Sequence, residues 1–439
     1  MILVRYLAMY EIATSVYRFL GDSHTFYLKL TPEIPDFTDN KEFILSIHLP
    51  QREMKIAVSQ RNIVEVCAAL QQFAFKKGNV VFCWNIKELF TYSRFYTKTA
   101  IPCEATLVDL RLIESFLGID KKIPENFVSA IDRAKIVSKS PSWKKVYNKV
   151  YLPLFKEVIP SIEITPLLNI KTGNLVYPHY QISGQANGRN LCSSVYKNSY
   201  NPHVMGDDIK AILRPSGYNK LFLYCDYNQM EVSVLQWLSK DLVLKSILDS
   251  GKDFYKALHV LLFGSSCKTP EDRQRCKSIF LPVIYGQSSS SLADKIGMDI
   301  GIVESIITKL KKVFLVAFSW VEKAIGEDYF GRARDFSDAP YKSRNFRVQS
   351  PASIFCLEKL IALWVALRDV EAEIAYHIHD GYGIICRKNN YKEVFSIALK
   401  TLEDYSELMP ELSIKVSVQI GMKLNKMSPF NEGHKNVQV

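Results

Sequence analysis

The spacing of apolar and polar residues changes along the chain. Between residues 41 and 110, three strand-like runs (FILSIHL, EMKIAV and NVVFCW) surround one run with helical spacing, RNIVEVCAALQQFAF. Short apolar runs that alternate with an amphipathic helix are typical of a small α/β domain. Residues 111 to 165 then show mostly helical spacing, rich in lysine and interrupted around LGIDKKIPEN and SKSPSW.

From about residue 175 the pattern is different. A strand-like run, KLFLYCD, leads directly into a helical run, QMEVSVLQWLSKD, and several long helical stretches precede a hairpin pattern at 374–386. The end of the chain after IGMKL lacks such a pattern, and we expect it to be loose. The patterning therefore predicts a small α/β region followed by a larger region of helices and sheet.

The hairpin pattern contains an aspartate that allows two interpretations. In HIHDGYGIIC, the pair Asp380-Gly381 lies between apolar residues, and Asp-Gly is preferred at the tip of a two-residue β-turn. Asp380 is therefore either a residue that the turn tolerates or a carboxylate held rigidly for a metal ion. The hairpin by itself leaves both interpretations open.

Composition adds bounds on the class of protein. A chain of 439 residues predicts two or three domains. The net charge of +11 favours a polyanionic partner, although a general lysine bias is the alternative. Nine cysteines stand singly, which predicts reduced thiols rather than a zinc site or disulfides. Because no run of 18 apolar residues occurs, we expect an intracellular protein without a membrane span.

Two further stretches carry candidate chemistry. Asp226 ends an apolar strand, where it is either a helix N-cap or a rigidly placed metal ligand, and Glu231 lies one turn into the following helix. In EDRQRCKSIFLPVIYGQS, two cations, an apolar residue and an aromatic residue are spaced four apart. Each step of four turns a helix face by about 40°, so these side chains form one stripe. The stripe suits a nucleoside triphosphate, or belongs to a basic amphipathic helix.

Together these stretches resemble motifs A, B and C of the family A DNA polymerases. The segment 226–231, DYNQME, resembles D-Y-S-Q-I-E. The second stretch resembles R-x3-K-x7-Y-G, and 378–381, IHDG, resembles V-H-D-E. Two weaker matches, ANGRN and GRARDF…NFRVQSPAS, are in the proper order and resemble T-G-R and the segments between motifs B and C. Five ordered matches over about 230 residues favour the metal-binding interpretation of Asp380.

The resemblance implies an α+β fold. We expect a polymerase right hand, with a palm antiparallel sheet and helical fingers, plus a small N-terminal α/β domain of the RNase H-like exonuclease type. The expected domains are a degenerate 3′–5′ exonuclease-like domain at 1–120, a short helical thumb-like or linker segment at 121–170, and palm and fingers at 171–439.

The chemistry implied is two-metal-ion nucleotidyl transfer. The expected cofactor is two Mg²⁺ ions, with Mn²⁺ as an alternative, held by Asp226, Asp380 and the backbone carbonyl of Tyr227. Arg273 and Lys277 would bind the β- and γ-phosphates as catalytic residues. The implied substrate-binding residues are Gln229, Met230, Glu231, Leu281, Tyr285 and Tyr255. Within that set, the resemblance makes Glu231 the acid that excludes a sugar 2′-hydroxyl. The implied DNA-binding residues are Arg189, Asn345, Gln349 and His379.

The chain departs from the family pattern at several positions. Four substitutions concern the polymerase motifs: Leu281 for Phe or Tyr, Pro282 for Gly, Gly381 for Glu, and Tyr255 for His. In the N-terminal region, VVFCWNIKELF resembles the H-N-x-K-F-D stretch of proofreading exonucleases, with Trp84 for His and Leu89 for the metal-binding Asp. The D-x-E motif is at best Met9-Tyr10-Glu11. An unrelated α/β domain is the alternative, and in either case we expect no proofreading.

The leading hypothesis is a template-directed DNA polymerase of phage, plasmid or organelle type, acting in replication or repair. We expect its partners to be primer–template DNA, dNTPs and a processivity factor or replisome protein. Its expected location is the cytoplasm of a host cell or an organelle. A catalytically weak or inactive scaffold that binds nucleic acid on the same fold is the alternative, and Glu231 disfavours an RNA polymerase or primase.

Overall fold

The computed structural model describes residues 14–16, 18, 20, 23–31, 37–38, 42–118, 123–138, 143–194, 198–323 and 326–430. The chain divides into two structural units. The first comprises Met1–Asp226, Cys356–Asp404 and Val416–Val439, and the second comprises Tyr227–Phe355 and Tyr405–Lys415.

A five-stranded sheet begins the first unit. Its strands are β1 (Thr25–Thr31), β2 (Phe43–Leu49), β3 (Arg52–Val58), β4 (Val80–Cys83) and β5 (Thr106–Asp109). The order is β3-β2-β1-β4-β5, with β1 to β3 antiparallel and β1, β4 and β5 parallel. Three of these strands match the predicted runs. Strand β1 was not predicted, because a central strand is covered on both faces: Phe26, Tyr27 and Leu28 are all buried, and no alternation appears.

Helices flank this sheet. They are α1 (Ile63–Ala69, continued by a π-helical turn at Leu70–Ala74), α2 (Lys87–Thr97), α3 (Leu110–Leu117) and α4 (Phe127–Ser138). Helix α3 begins where the Asp109 side chain accepts a hydrogen bond from the Leu112 amide, and it ends at Gly118, whose φ of +72° suits glycine.

Residues 143–163 form one helical segment with π-helical turns. It comprises α5 (Trp143–Val146), π turns at Tyr147–Tyr151 and Leu154–Val158, and α6 (Ile159–Glu163). The Tyr147 hydroxyl donates to the Leu107 carbonyl and accepts from the Asp109 amide, at 3.1 and 2.7 Å. The predicted thumb-like or linker segment therefore packs part of its surface against β5, and its boundaries stay a prediction.

The remainder of the first unit contains three sheets. The additional strands are β6 (Leu167–Asn169), β7 (Leu175–Pro178), β8 (Tyr180–Gln181), β9 (Leu191–Cys192), β10 (Ser199–Tyr200), β11 (Leu213–Pro215), β12 (Lys220–Tyr227), β13 (Ala372–Ile378), β14 (Gly381–Arg387), β15 (Val416–Gly421) and β16 (Ser428–Phe430). Their orders are β10-β7-β6-β11, β8-β9 and β13-β14-β12-β15-β16. A shared core that includes Leu167, Tyr200, Phe222 and Ile385 packs beneath the last of these.

The second unit is helical in its described part. Its helices are α8 (Met230–Ser239), α9 (Leu242–Asp249), α10 (Phe254–Phe263), α11 (Pro270–Ile284), α12 (Ser289–Ile296), α13 (Ile300–Val313) and α14 (Leu315–Glu322). The first unit also contains a 3₁₀ turn at Pro202–Val204, α7 (Asp207–Ile212) and α16 (Tyr391–Glu403), and α15 (Lys342–Ala366) belongs partly to each unit. Helix α15 is long and apolar enough to cross a membrane, but 67% of its apolar window is buried in the protein, as in core helices.

Candidate active site

Two aspartates lie near each other at one end of a sheet in the first unit. Strand β12 is largely buried and carries the half-buried Asp226 near its end. In the antiparallel pairing of β12 with β14, Asp226 stands opposite Gly381, and Asp380 directly precedes that glycine. The strand register therefore brings together the two carboxylates that the sequence predicts as metal ligands, although 153 residues separate them in the chain.

The hairpin tip differs from the predicted turn by one residue. Strand β13 ends at Ile378, which pairs with Gly381 at the start of β14, so the tip residues are His379 and Asp380. The positive φ, +51°, falls on His379. The prediction of Asp380-Gly381 as the tip is therefore wrong. Gly381 belongs to the ladder, since it pairs with Asp226 and Ile378. A Cβ there would lie 2.1 Å from the Tyr224 hydroxyl oxygen, so the position needs glycine.

Tyr224, which belongs to none of the sequence motifs, contacts one of the aspartates. Its hydroxyl donates to Asp226 Oδ1 at 3.3 Å. Burial and then the charge of Asp226 raise the pKa of Tyr224 well above its usual value, so the phenol remains protonated and able to donate. The i, i+2 spacing to Asp226 on a strand, which places both side chains on one face, was the signal available.

A polar cluster surrounds His379. Its ring centroid lies 4.8 Å from that of His203, and His203 Nε2 is 3.3 Å from the His377 carbonyl oxygen. Burial, followed by the charges of Arg189 and His203, lowers the pKa of His379 to about 4, so this imidazole is neutral at pH 7. The structure brings the predicted DNA contacts Arg189 and His379 together and adds His203, for which the sequence offered no signal.

The predicted phosphate-binding stripe lies on α11 in the second unit. Thr269 and Asp272 form a capping box at its start, and Arg273, Lys277 and Leu281 follow within the helix, with Tyr285 as the C-cap. Lys277 is exposed. The helix continues through Pro282 for two residues before it ends, so the proline lies in the last turn.

An acidic partner holds Arg273 in place. Its Nε and Nη2 both lie 2.9 Å from Asp253 Oδ2, and its guanidinium carbon is 5.3 Å from the ring centroid of Tyr255. The Gln229 side chain accepts from the Phe254 amide at 3.0 Å, so it caps α10 beside Asp253. Tyr255 is only 3% exposed. Gln229 and Tyr255 therefore lie next to the ion pair of Arg273 with Asp253. Their contacts with substrate stay predictions.

A cavity of about 490 Å³ in the second unit gathers five predicted site residues. Its lining comprises Glu231, Leu281, Pro282, Tyr285, Gln287, Tyr341, Lys342, Asn345 and Gln349. Glu231 Oε2 accepts from the Tyr285 hydroxyl at 2.5 Å, and Oε1 accepts from Gln349 Nε2 at 2.9 Å. These two hydrogen bonds hold the carboxylate at the wall of a cavity that is lined by both apolar and polar side chains.

Two predicted residues have mainly buried side chains. Met230 is 4% exposed and Tyr227 is 3% exposed, with the Tyr227 ring 5.3 Å from that of Phe355. The contribution predicted for Tyr227 is its backbone carbonyl, which a buried side chain leaves unaffected.

A buried ionic network lies at the segment that resembles the exonuclease motif. Lys87 Nζ lies 2.7 Å from Glu163 Oε1 and 2.8 Å from Glu88 Oε1, while Leu89 is fully buried. Strand β1 contains no carboxylate, and Met9-Tyr10-Glu11 lies outside the described residues. Within the described ranges, no group of three His, Cys, Asp or Glu side chains could hold a metal ion. The loss of proofreading stays a prediction.

Comparison with known proteins adds independent findings. The model of DNA polymerase family A matches residues 161–426. The thermostable DNA polymerase I of Thermus filiformis is 26% identical over 277 residues, which cover 57% of this chain and 33% of that protein. DNA polymerase I of Aquifex aeolicus is 25% identical over 344 residues, covering 70% of this chain and 55% of that protein. The chain thus spans about a third to a half of the length of these relatives.

A solved structure resembles most of the chain. It is the POL domain of Pol1 from M. smegmatis in complex with DNA primer-template and dNTP, with a TM-score of 0.72 and 13% sequence identity. The likeness covers 87% of this chain and 92% of that one. It confirms the predicted α+β polymerase fold, and it leaves the exonuclease-type interpretation of the N-terminal domain as a prediction.

Proposed function

The chain belongs to DNA polymerase family A, and from this premise we propose that it is a template-directed DNA polymerase that adds deoxynucleotides to a primer 3′ end. The observation that carries the proposal is the strand register that sets Asp226 beside the hairpin tip with Asp380. Two half-buried carboxylates at a strand end and the neighbouring hairpin tip do not serve the packing of the sheet, since burying such charges is costly.

The donor set fits hard divalent cations. Carboxylate and carbonyl oxygens suit Mg²⁺ and Mn²⁺, and Mg²⁺ commonly takes only one or two protein carboxylates together with water and substrate phosphates. Asp226, Asp380 and the Tyr227 carbonyl would hold the ions. When bound, such ions lower the pKa of the attacking hydroxyl and neutralise charge on the phosphates.

The other residues bind and orient the substrates. Arg273 and Lys277 would bind the β- and γ-phosphates, and Arg273 would exchange its Asp253 carboxylate for a phosphate oxygen. Glu231, held by two hydrogen bonds, would occupy the space of a ribose 2′-hydroxyl. Tyr285 would stack near the templating base.

Primer–template DNA is the proposed macromolecular partner. Arg189, His379, Asn345 and Gln349 would contact its backbone and minor groove, a largely shape-dependent mode that makes template sequence unimportant for affinity. We further propose that the enzyme lacks proofreading, since Leu89 stands fully buried where the resembling motif has a metal-binding Asp.

Primer extension tests the proposal directly. The purified protein, Mg²⁺ and each dNTP in turn should yield extension only by the nucleotide complementary to the template. Asp226→Asn should abolish it, and Asp369→Asn, at an exposed position, is the matched control. Failure of the wild-type protein to extend a primer with any dNTP and either metal would contradict the proposal and favour a scaffold that binds nucleic acid.

A further inference from the structure

Two tyrosines cover a glycine-lined face of the sheet that carries the aspartates. Strand β14 has glycine at 381 and 383, which stand opposite Asp226 and Tyr224 of β12. A Cβ at 381 would lie 2.1 Å from the Tyr224 hydroxyl oxygen, and a Cβ at 383 would lie 2.2 Å from Tyr376 Cζ. Neither glycine has a positive φ, so both positions need glycine for space and not for backbone conformation.

The Tyr224 ring lies diagonally across the ladder. Its ring stacks on Tyr376 with centroids 6.2 Å apart and planes inclined by 27°. This packing directs the hydroxyl towards the end of β12, where it donates to Asp226 Oδ1 at 3.3 Å. The hydroxyl thereby occupies the space that any side chain at position 381 would need, including the Glu that the resembling motif has there.

We propose that Tyr224 is a positioning residue of the carboxylate pair, which orients Asp226 from the space left free by glycine at 381. The inference rests on the proposed function, because it assigns Asp226 to metal binding. A hydrogen bond to one carboxylate oxygen restricts rotation of the group, and this would orient the carboxylate for a metal ion. Groups that orient metal ligands in this way change metal affinity or activity by 10- to 100-fold when they are removed.

The first test compares two hydroxyl deletions in the same stacked pair. Tyr224→Phe keeps the ring and removes the donor to Asp226. Tyr376→Phe removes a hydroxyl that makes no hydrogen bond to either aspartate within the described structure. Because the bond is long, we expect Tyr224→Phe to weaken Mn²⁺ binding about 10-fold in calorimetric titrations of the protein with primer–template and no nucleotide. The Mg²⁺ concentration for half-maximal extension should rise by a similar factor.

A second test addresses the shared space. Gly381→Ala should impair Mn²⁺ binding in the wild-type background, because the methyl group meets the Tyr224 hydroxyl and ring. In a Tyr224→Ser background, where the ring is absent, Gly381→Ala should cause no further loss of Mn²⁺ binding. If Tyr224 had only a structural role, the variants would differ in melting temperature, and the effect of Gly381→Ala on Mn²⁺ affinity would not depend on the residue at position 224.

A failure of this inference can be distinguished from a failure of the proposed polymerase function. If Tyr224→Phe and Tyr376→Phe bind Mn²⁺ equally well, the inference is overturned, whether or not the wild-type protein extends primers. If the wild-type protein extends no primer, the polymerase proposal fails, and the Mn²⁺ titrations still decide the role of Tyr224. Weaker binding in Tyr224→Phe alone supports the inference.

Discussion

Replacement of Lys87 by methionine should strongly destabilise the first unit. The Lys87 ammonium is 2% exposed and lies 2.7 and 2.9 Å from the two Glu163 oxygens and 2.8 Å from Glu88. Both carboxylates are as deeply buried, at 0% and 2%. Removing one partner of a buried ion pair costs about 3–5 kcal/mol, since a charge remains without compensation. We expect a loss of about 4 kcal/mol in the free energy of unfolding at pH 8.

The loss should depend on pH. Burial by itself would raise the pKa of Glu88, but Lys87 and His179 lower it to about 2. In the wild-type protein this carboxylate therefore contributes stability above about pH 4.5 that is lost as pH falls towards 2. Without Lys87 only burial and His179 act on Glu88, and this carboxylate takes up a proton more readily. The variant should consequently be less destabilised at pH 5.5 than at pH 8.

Urea unfolding followed by circular dichroism at these two pH values measures both effects. Lys135→Met is the matched control, because Lys135 and Asp132 lie 2.9 Å apart with side chains 70% and 61% exposed. An exposed pair should change stability by less than about 1 kcal/mol. A loss below about 1 kcal/mol for Lys87→Met, or an equal loss at both pH values, would refute the reasoning.

Three further predictions concern catalysis. Asp226→Asn and Asp380→Asn should each abolish primer extension but leave primer–template affinity nearly unchanged, because affinity depends mainly on basic residues; extension above about a tenth of the wild-type rate contradicts the metal-ligand assignment. Glu231→Ala should raise the ratio of kcat/KM for ATP to that for dATP by orders of magnitude, each factor of ten being about 1.4 kcal/mol, and an unchanged ratio would exclude a steric gate. A 3′-mismatched primer with Mg²⁺ and no nucleotide should stay intact, and shortening that persists in Asp226→Asn would reveal a nuclease site.

Sequence by itself determined the elements with strong local signals. The ordered motifs predicted the polymerase fold, which the family and structure comparisons confirm. The spacing of four in the basic stripe predicted one helix face, and α11 carries Arg273, Lys277 and Leu281 on it. Such periodicity follows from backbone geometry within a few residues, so it can be recognised without knowledge of the tertiary structure.

Only the tertiary structure decided which distant residues meet. Strand β1 lacks alternation because both of its faces are covered, and the position of Gly381 depends on a ring that a different strand supplies. The Lys87 network joins residues 76 positions apart in the chain. The contact of His203 with the hairpin spans 174 positions. Contacts of this kind arise from strand register and side-chain packing, and neither composition nor local periodicity encodes them.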